Sequence, residues 1–284
     1  MSRLPPCGVQ RERAADMSAN VDQRKRAAIL QFITKTLAVA VMEMQKLRHD
    51  PTELVTRAIQ PMLWLLVFGQ VFSHVRAIPT GSLSYIDFLA PGILAQSVLF
   101  VAIFYGISII WERDLGIVHK FLVSPTPRMA LVLGKAISAG VRALSQAVII
   151  YVLAWLLRVK LNWSPPALLG VTLLVLLGAA LFSTFSLIIA CIVKTRERFM
   201  GIGQVLTMPL FFASNAIYPT AIMPDWLKWV AHINPLTYEV DGLRALMLER
   251  GESALGLMAD FSVLTIVLAA LVLVGGWIYP RIIT

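Results

Sequence analysis

The chain has 284 residues, 58% of them hydrophobic and 14% charged, with a formal net charge of +9 and a mean hydropathy of +0.75. That balance excludes an ordinary soluble globular domain and identifies an integral membrane protein. The basic residues gather in an N-terminal tail and in short loops between apolar runs, as in membrane proteins that orient themselves by loop charge, which argues against a nucleic-acid surface.

In chain order, residues 1–28 lack an apolar core and mix acidic with basic residues, so they read as a disordered cytoplasmic tail and not as a cleavable signal. Residues 29–50 place Ile29, Phe32, Ile33, Thr36, Leu37, Ala40 and Met44 on one helical stripe, the pattern of an amphipathic interfacial helix ended by Asp50-Pro51. A crossing helix needs roughly 20 apolar residues. Six runs qualify within residues 51–284, near 54–73, 88–111, 131–157, 167–193, 199–217 and 261–280. The expected fold is therefore an all-α membrane protein with six transmembrane helices. Arg113, Lys120, Arg128, Lys135, Lys194, Arg196, Arg198 and Arg281 fall on one side with the tail, so both termini are expected to be cytoplasmic.

No catalytic constellation assembles. The nearest approach to a phosphate-wrapping Walker A loop, Gly134-Lys135, has Met129 for its first glycine and Ala136 for its Ser/Thr, so the chain is expected not to hydrolyse ATP by itself. The four histidines are scattered, and Cys7 and Cys191 lie in unlike settings, so neither a metal site nor a disulfide framework is expected.

Three stretches carry information. Residues 111–135 begin with Glu112, Arg113 and Asp114, continue with Leu115, Val118, Phe121 and Leu122 on apolar turns, and break at Ser124-Pro125-Thr126-Pro127. This suits a short docking helix at the membrane surface, with an ordinary positive loop as the alternative. Arg142 lies inside the third apolar run, where an ionisable group is costly; the readings open to it are a substrate path or dimer interface, snorkelling to the nearer surface, or a structural ion pair. In "NPLTYEVDGLR", Asn234 supplies an N-cap and Pro235 the first helical position. The helix that follows, about 15 residues and roughly 22 Å, is too short to cross a core of about 30 Å, so it is re-entrant or lies at the outer surface. Trp226 and Trp229 just before it form an aromatic anchor.

Thr207, Leu210, Ala213, Ser214, Ala216, Met223-Pro224, Pro235-Leu236, Tyr238 and Arg244 stand in the order and spacing of the signature of ABC-2 type transporter permeases. The wording around Asn234 most resembles permeases of daunorubicin-resistance and nodulation-factor type exporters. The resemblance implies six spans, short re-entrant outer helices within about 218–252, and a coupling helix at about 112–122 in which Glu112, Arg113, Asp114 and Phe121 meet an ATPase. It further implies that Pro224, Asn234, Pro235, Tyr238 and Arg244 shape the re-entrant region. Arg244 is expected to pair either with Asp241, three residues before it, or with a neighbouring segment. The implied assembly is two permease copies, identical or different, with two separate ABC ATPase subunits that carry the ATP and magnesium. This chain itself would bind no cofactor, no metal and no nucleic acid. The location would be a bacterial inner (plasma) membrane, and the work would be export of an amphipathic or lipid-linked substrate: drug-like, glycolipid or polysaccharide. Two readings from other classes are a secondary ion-coupled carrier, disfavoured because the acidic residues sit at span ends or in loops, and a membrane-embedded enzyme using Tyr238, Glu239 and Asp241.

Overall fold

Inside a bilayer every backbone N–H and C=O must be satisfied within the chain, which restricts apolar runs like these to helices. The computed structural model describes residues 34, 41, 45, 52–75, 78–81, 83–115, 128–193 and 195–278, and among them every named element is a helix. The expected interfacial helix lies outside the described residues except for Thr34, Val41 and Gln45, which are helical.

Helix α1 (Thr52–Leu63) passes through a π-helical turn (Trp64–Phe68) into α2 (Gly69–Val75) without a break. Pro61 cannot donate to the helical ladder, and a π turn begins shortly after it. Trp64 stacks on Phe68 in that turn, ring centres 4.3 Å apart. Helix α3 (Tyr85–Tyr105) starts at Ser84, whose hydroxyl accepts the Asp87 N–H at 3.1 Å, and α4 (Ile107–Asp114) prolongs it past Gly106. Then come α5 (Arg128–Leu156), α6 (Pro165–Ile192), α7 (Arg196–Phe212), the short α8 (Asp225–Ile233) and α9 (Pro235–Met247), and α10 (Leu257–Ile278). Proline at the first position of α6 and of α9 fits the rule that a missing N–H costs nothing there.

Four helical stretches are long and apolar enough to cross a membrane: Tyr85–Glu112, Leu133–Leu156, Pro165–Ile192 and Leu257–Ile278. They match four of the six expected crossings. Ile59–Ser73 is a shorter apolar helix, and α7 has 17 residues.

Helix α3 is the hub, buried on nearly every side and packed on α5, α6, α7 and α9. Close approach is made by small residues. A Cβ at Gly92 would overlap the Ala216 carbonyl oxygen, and one at Gly106 would overlap the Ser186 hydroxyl, which itself bonds the Ile103 carbonyl. Phe182, Phe199 and Phe211 fill the interior. By contrast α10 is mostly exposed, with Ile266, Leu273 and Trp277 facing outward as lipid contact demands. The bundle has a proximal end at Asp114, Lys135 and Arg196, and a distal end formed by residues 78–81, 83–84, 157–164 and 213–256.

Candidate functional site

At the proximal end, charge is handled by pairing. Lys135 on α5 lies 2.7 Å from Glu112 Oε2 on α4, with both side chains almost wholly buried. Arg142, about two turns farther along α5, is buried with its guanidinium 4.8 Å from the centre of the Tyr105 ring, and Lys135 approaches the same ring at 5.9 Å. Thus Arg142 faces α3. Asp114 is more open and accepts a hydrogen bond from Arg196 Nη2 at 2.8 Å, while the Arg196 guanidinium stacks 3.4 Å from the Trp111 ring centre. One arginine at the start of α7 therefore grips the end of α4 in two ways. The Arg113 side chain and all of Phe121 lie outside the described residues.

In the proximal half of the bundle, a cavity of about 530 Å³ opens between α1, α3 and α7. Its apolar walls include Phe100, Phe104 and Met200, and Gln60, Gln96 and Gln204 bring three amides into it. Gln96 is 1% exposed, and neither its Oε1 nor its Nε2 has a hydrogen-bond partner. An unsatisfied buried amide costs about 1–3 kcal/mol, so the fold carries a group whose bonding capacity is unused. Its signal is present in the sequence as a Gln-Ser pair inside an apolar span, but helical periodicity alone does not say that Gln60 and Gln204 share its cavity.

The distal end is built around α9. Asn234 accepts the Leu236 N–H at 3.0 Å and donates through Nδ2 to the Leu210 carbonyl at 2.7 Å and the Ala213 carbonyl at 3.3 Å, so one side chain starts α9 and ties it to the end of α7. Pro224 caps α8, and Pro235 begins α9. The Tyr238 hydroxyl donates to the His232 carbonyl at 2.8 Å, fixing the α8–α9 corner. Arg244 is buried, donates to the Asn215 carbonyl at 2.7 Å and lies 3.9 Å from the Phe88 ring centre. Of the two partners open to it, the neighbouring segment takes its hydrogen bonds: the 213–217 turn and α3, not Asp241. Asp241 Oδ2 instead accepts the Leu255 N–H at 2.9 Å, and the Ser253 hydroxyl sits between it (2.9 Å) and Asp260 Oδ2 (3.0 Å).

Helix α9 has 13 residues, too few to cross, and it packs on α3, α6 and α10. Glu239 at its middle is fully buried with both carboxylate oxygens unpartnered, and it occupies the notch left by the missing Cβ of Gly178 on α6. Burial without a counter-charge raises its carboxyl well above the ordinary range. Among the described residues no group of three or more His, Cys, Asp or Glu is placed to hold a metal ion.

Comparison with known proteins agrees with this arrangement. Residues 34–248 match the ABC-2 type transporter family. The chain is 28% identical over 232 residues to the protein named as a transport permease, ycf38, in Cyanophora paradoxa, covering 80% of each chain. It is 23% identical to the daunorubicin resistance ABC transporter permease protein DrrB1 of Streptomyces coeruleorubidus, covering 78% of each, and 23% identical to the inner membrane transport permease YadH of Escherichia coli K12, covering 78% of this chain and 84% of that one. With helices long and apolar enough to cross a membrane, a cavity with three glutamines among them and a match over three quarters of its length, the chain belongs to the ABC-2 type transporter family.

Proposed function

We propose that this chain is the permease half of an ABC exporter, moving an amphipathic or lipid-linked substrate outward with ATP hydrolysed on separate ATPase subunits. The observation that carries the reading is the cavity at Gln60, Gln96 and Gln204: apolar and aromatic walls with a few amides suit a molecule that is mostly greasy yet holds polar groups. The name of the Streptomyces relative, a daunorubicin resistance permease, points to the same class of substrate.

In this reading the run from Thr52 to Val75 and α7 complete six spans, and the α1 and α7 walls of the cavity face a second permease copy. Met200, Ile202, Val205 and Phe212 leave α7 with an exposed apolar face that such a copy or lipid covers. The ATPase meets the segment that follows Asp114. Its thrust passes to α3 and α4 directly and to α7 through Arg196, while the Glu112–Lys135 pair braces the lever on α5. At the other end α9 and the 213–217 turn, joined by Arg244 and Asn234, close the path. The enzyme alternative draws no support from Glu239, whose carboxylate is fully buried.

The test is substrate-stimulated ATP hydrolysis by the complex in proteoliposomes, screened with amphipathic aromatic probes. Gln96→Leu, similar in volume and free of the unmet amide, should fold normally, keep basal hydrolysis and lose stimulation. Undiminished stimulation in that variant contradicts the assignment of the cavity.

A further inference from the structure

The distal end holds a second cavity, of about 370 Å³, where the α5–α6 loop meets the end of α9 and the start of α3. Arg158, Lys160 and Arg250 line it, against a single carboxylate, Asp87. Among the described residues none of these four side chains makes an ion pair or a side-chain hydrogen bond, in contrast with the proximal end, where Lys135 and Arg196 are both paired. Arg158, Lys160 and Arg250 are all exposed, and three cations around one concavity give it a positive potential that favours an anion.

The backbone holds this arrangement in place. Leu161 and Leu248 form an antiparallel bridge in which the Glu249 N–H donates to the Lys160 carbonyl at 3.0 Å and the Asn162 N–H donates to the Met247 carbonyl at 2.9 Å. This sets Lys160 beside the segment that carries Arg250. Arg158 has φ 59°, and the Val159 N–H reaches back to the Ala154 carbonyl at 3.0 Å, closing α5 with a left-handed residue. Glycine is the usual occupant of that position, and a residue with a Cβ there costs about 1 kcal/mol or more. Arg158 therefore occupies a strained backbone position, and it lines the cavity.

We propose that Arg158, Lys160 and Arg250 form a phosphate-binding site that takes the headgroup phosphate of an anionic lipid in the leaflet at the distal end. Two guanidinium forks and an ammonium match the oxygens of a phosphodiester. The cavity is larger than a phosphate alone requires and has room for part of a glycerol headgroup. Trp155 and Trp163, both exposed and flanking the same loop, place the cavity at the level where indole rings gather beside headgroups. The site is distinct from the Gln96 cavity and its occupancy depends on this chain alone, so its failure leaves the transport reading untouched.

The experiment is calorimetric titration of the full chain in neutral detergent with two probes, monomeric dihexanoyl phosphatidylglycerol and inorganic phosphate. Saturable binding of the lipid probe is expected, weaker by roughly tenfold or more in Lys160→Ala and in Arg250→Ala, the loss of one charge-assisted hydrogen bond each. Arg158→Gly keeps the left-handed turn with less strain, so it should unfold no lower than the parent and still bind more weakly. If inorganic phosphate binds as tightly as the lipid probe, the lipid assignment is overturned in favour of a soluble phosphate. Absence of saturable binding, or binding unchanged in all three variants, overturns the site.

Discussion

The ammonium of Lys135 lies 2.7 Å from Oε2 of Glu112, and both side chains are almost completely shielded. A charged pair buried in this way is fixed less by its own attraction than by the cost of leaving either member alone. Glu112→Ala should therefore lower stability by about 3–5 kcal/mol, whereas replacing both residues with Met should cost much less. Thermal unfolding in detergent distinguishes the two cases; equal losses would assign the effect to packing alone.

Arg196 makes a different kind of junction, partly exposed, in which stacking on Trp111 accompanies the bond to Asp114. Its loss should leave folding nearly intact, since exposed pairs contribute about 0–1 kcal/mol. Arg196→Ala should nevertheless reduce substrate-stimulated hydrolysis in the reconstituted complex more than basal hydrolysis. Arg196→Lys, which keeps the charge but loses the planar fork, should fall between.

Glu239 gives a pH dependence whose sign follows from its burial. In the unfolded chain the carboxyl ionises at about pH 4.3, while in the fold it stays protonated well above that. The native state then holds one more proton, so this group's contribution to stability is fully present below about pH 4.3. It declines by about 1.4 kcal/mol per pH unit above that, until the native carboxyl itself ionises. Glu239→Gln should flatten this slope when unfolding temperature is followed from acid to neutral pH.

Two glycines should respond in opposite directions. At Gly92 a methyl group meets the Ala216 carbonyl, so Gly92→Ala should destabilise by about 1–3 kcal/mol or more through overpacking of α3 against the 213–217 turn. Gly201 lies in α7 with open space where a methyl group would sit, so Gly201→Ala should gain up to about 1 kcal/mol from helix propensity. Unfolding temperatures of the two variants measured side by side check both.

Local rules explain which features are legible in the sequence. Asn234-Pro235 marks the start of α9, and the apolar runs locate four full-length crossings within a few residues, because capping chemistry and hydropathy are properties of short stretches. The partners of Arg244 are not legible in this way. Spacing offers Asp241 or some neighbouring segment, and only tertiary packing delivers the guanidinium to the Asn215 carbonyl and the Phe88 ring. Likewise Glu112, expected at a surface contact, is turned inward by Lys135, 23 residues away. The amides of Gln60, Gln96 and Gln204 come from three different helices, and only the fold brings them to one cavity.

If this chain works as a permease driven by a separate ATPase, the tagged chain purified from its native membrane in mild detergent should bring that ATPase with it, as identified by mass spectrometry and by ATP hydrolysis of the eluate. The expected result is a stoichiometric subunit with a Walker A loop whose hydrolysis changes when Arg196 is replaced. Recovery of this chain alone, without hydrolysis, under conditions that keep other membrane complexes intact would contradict it.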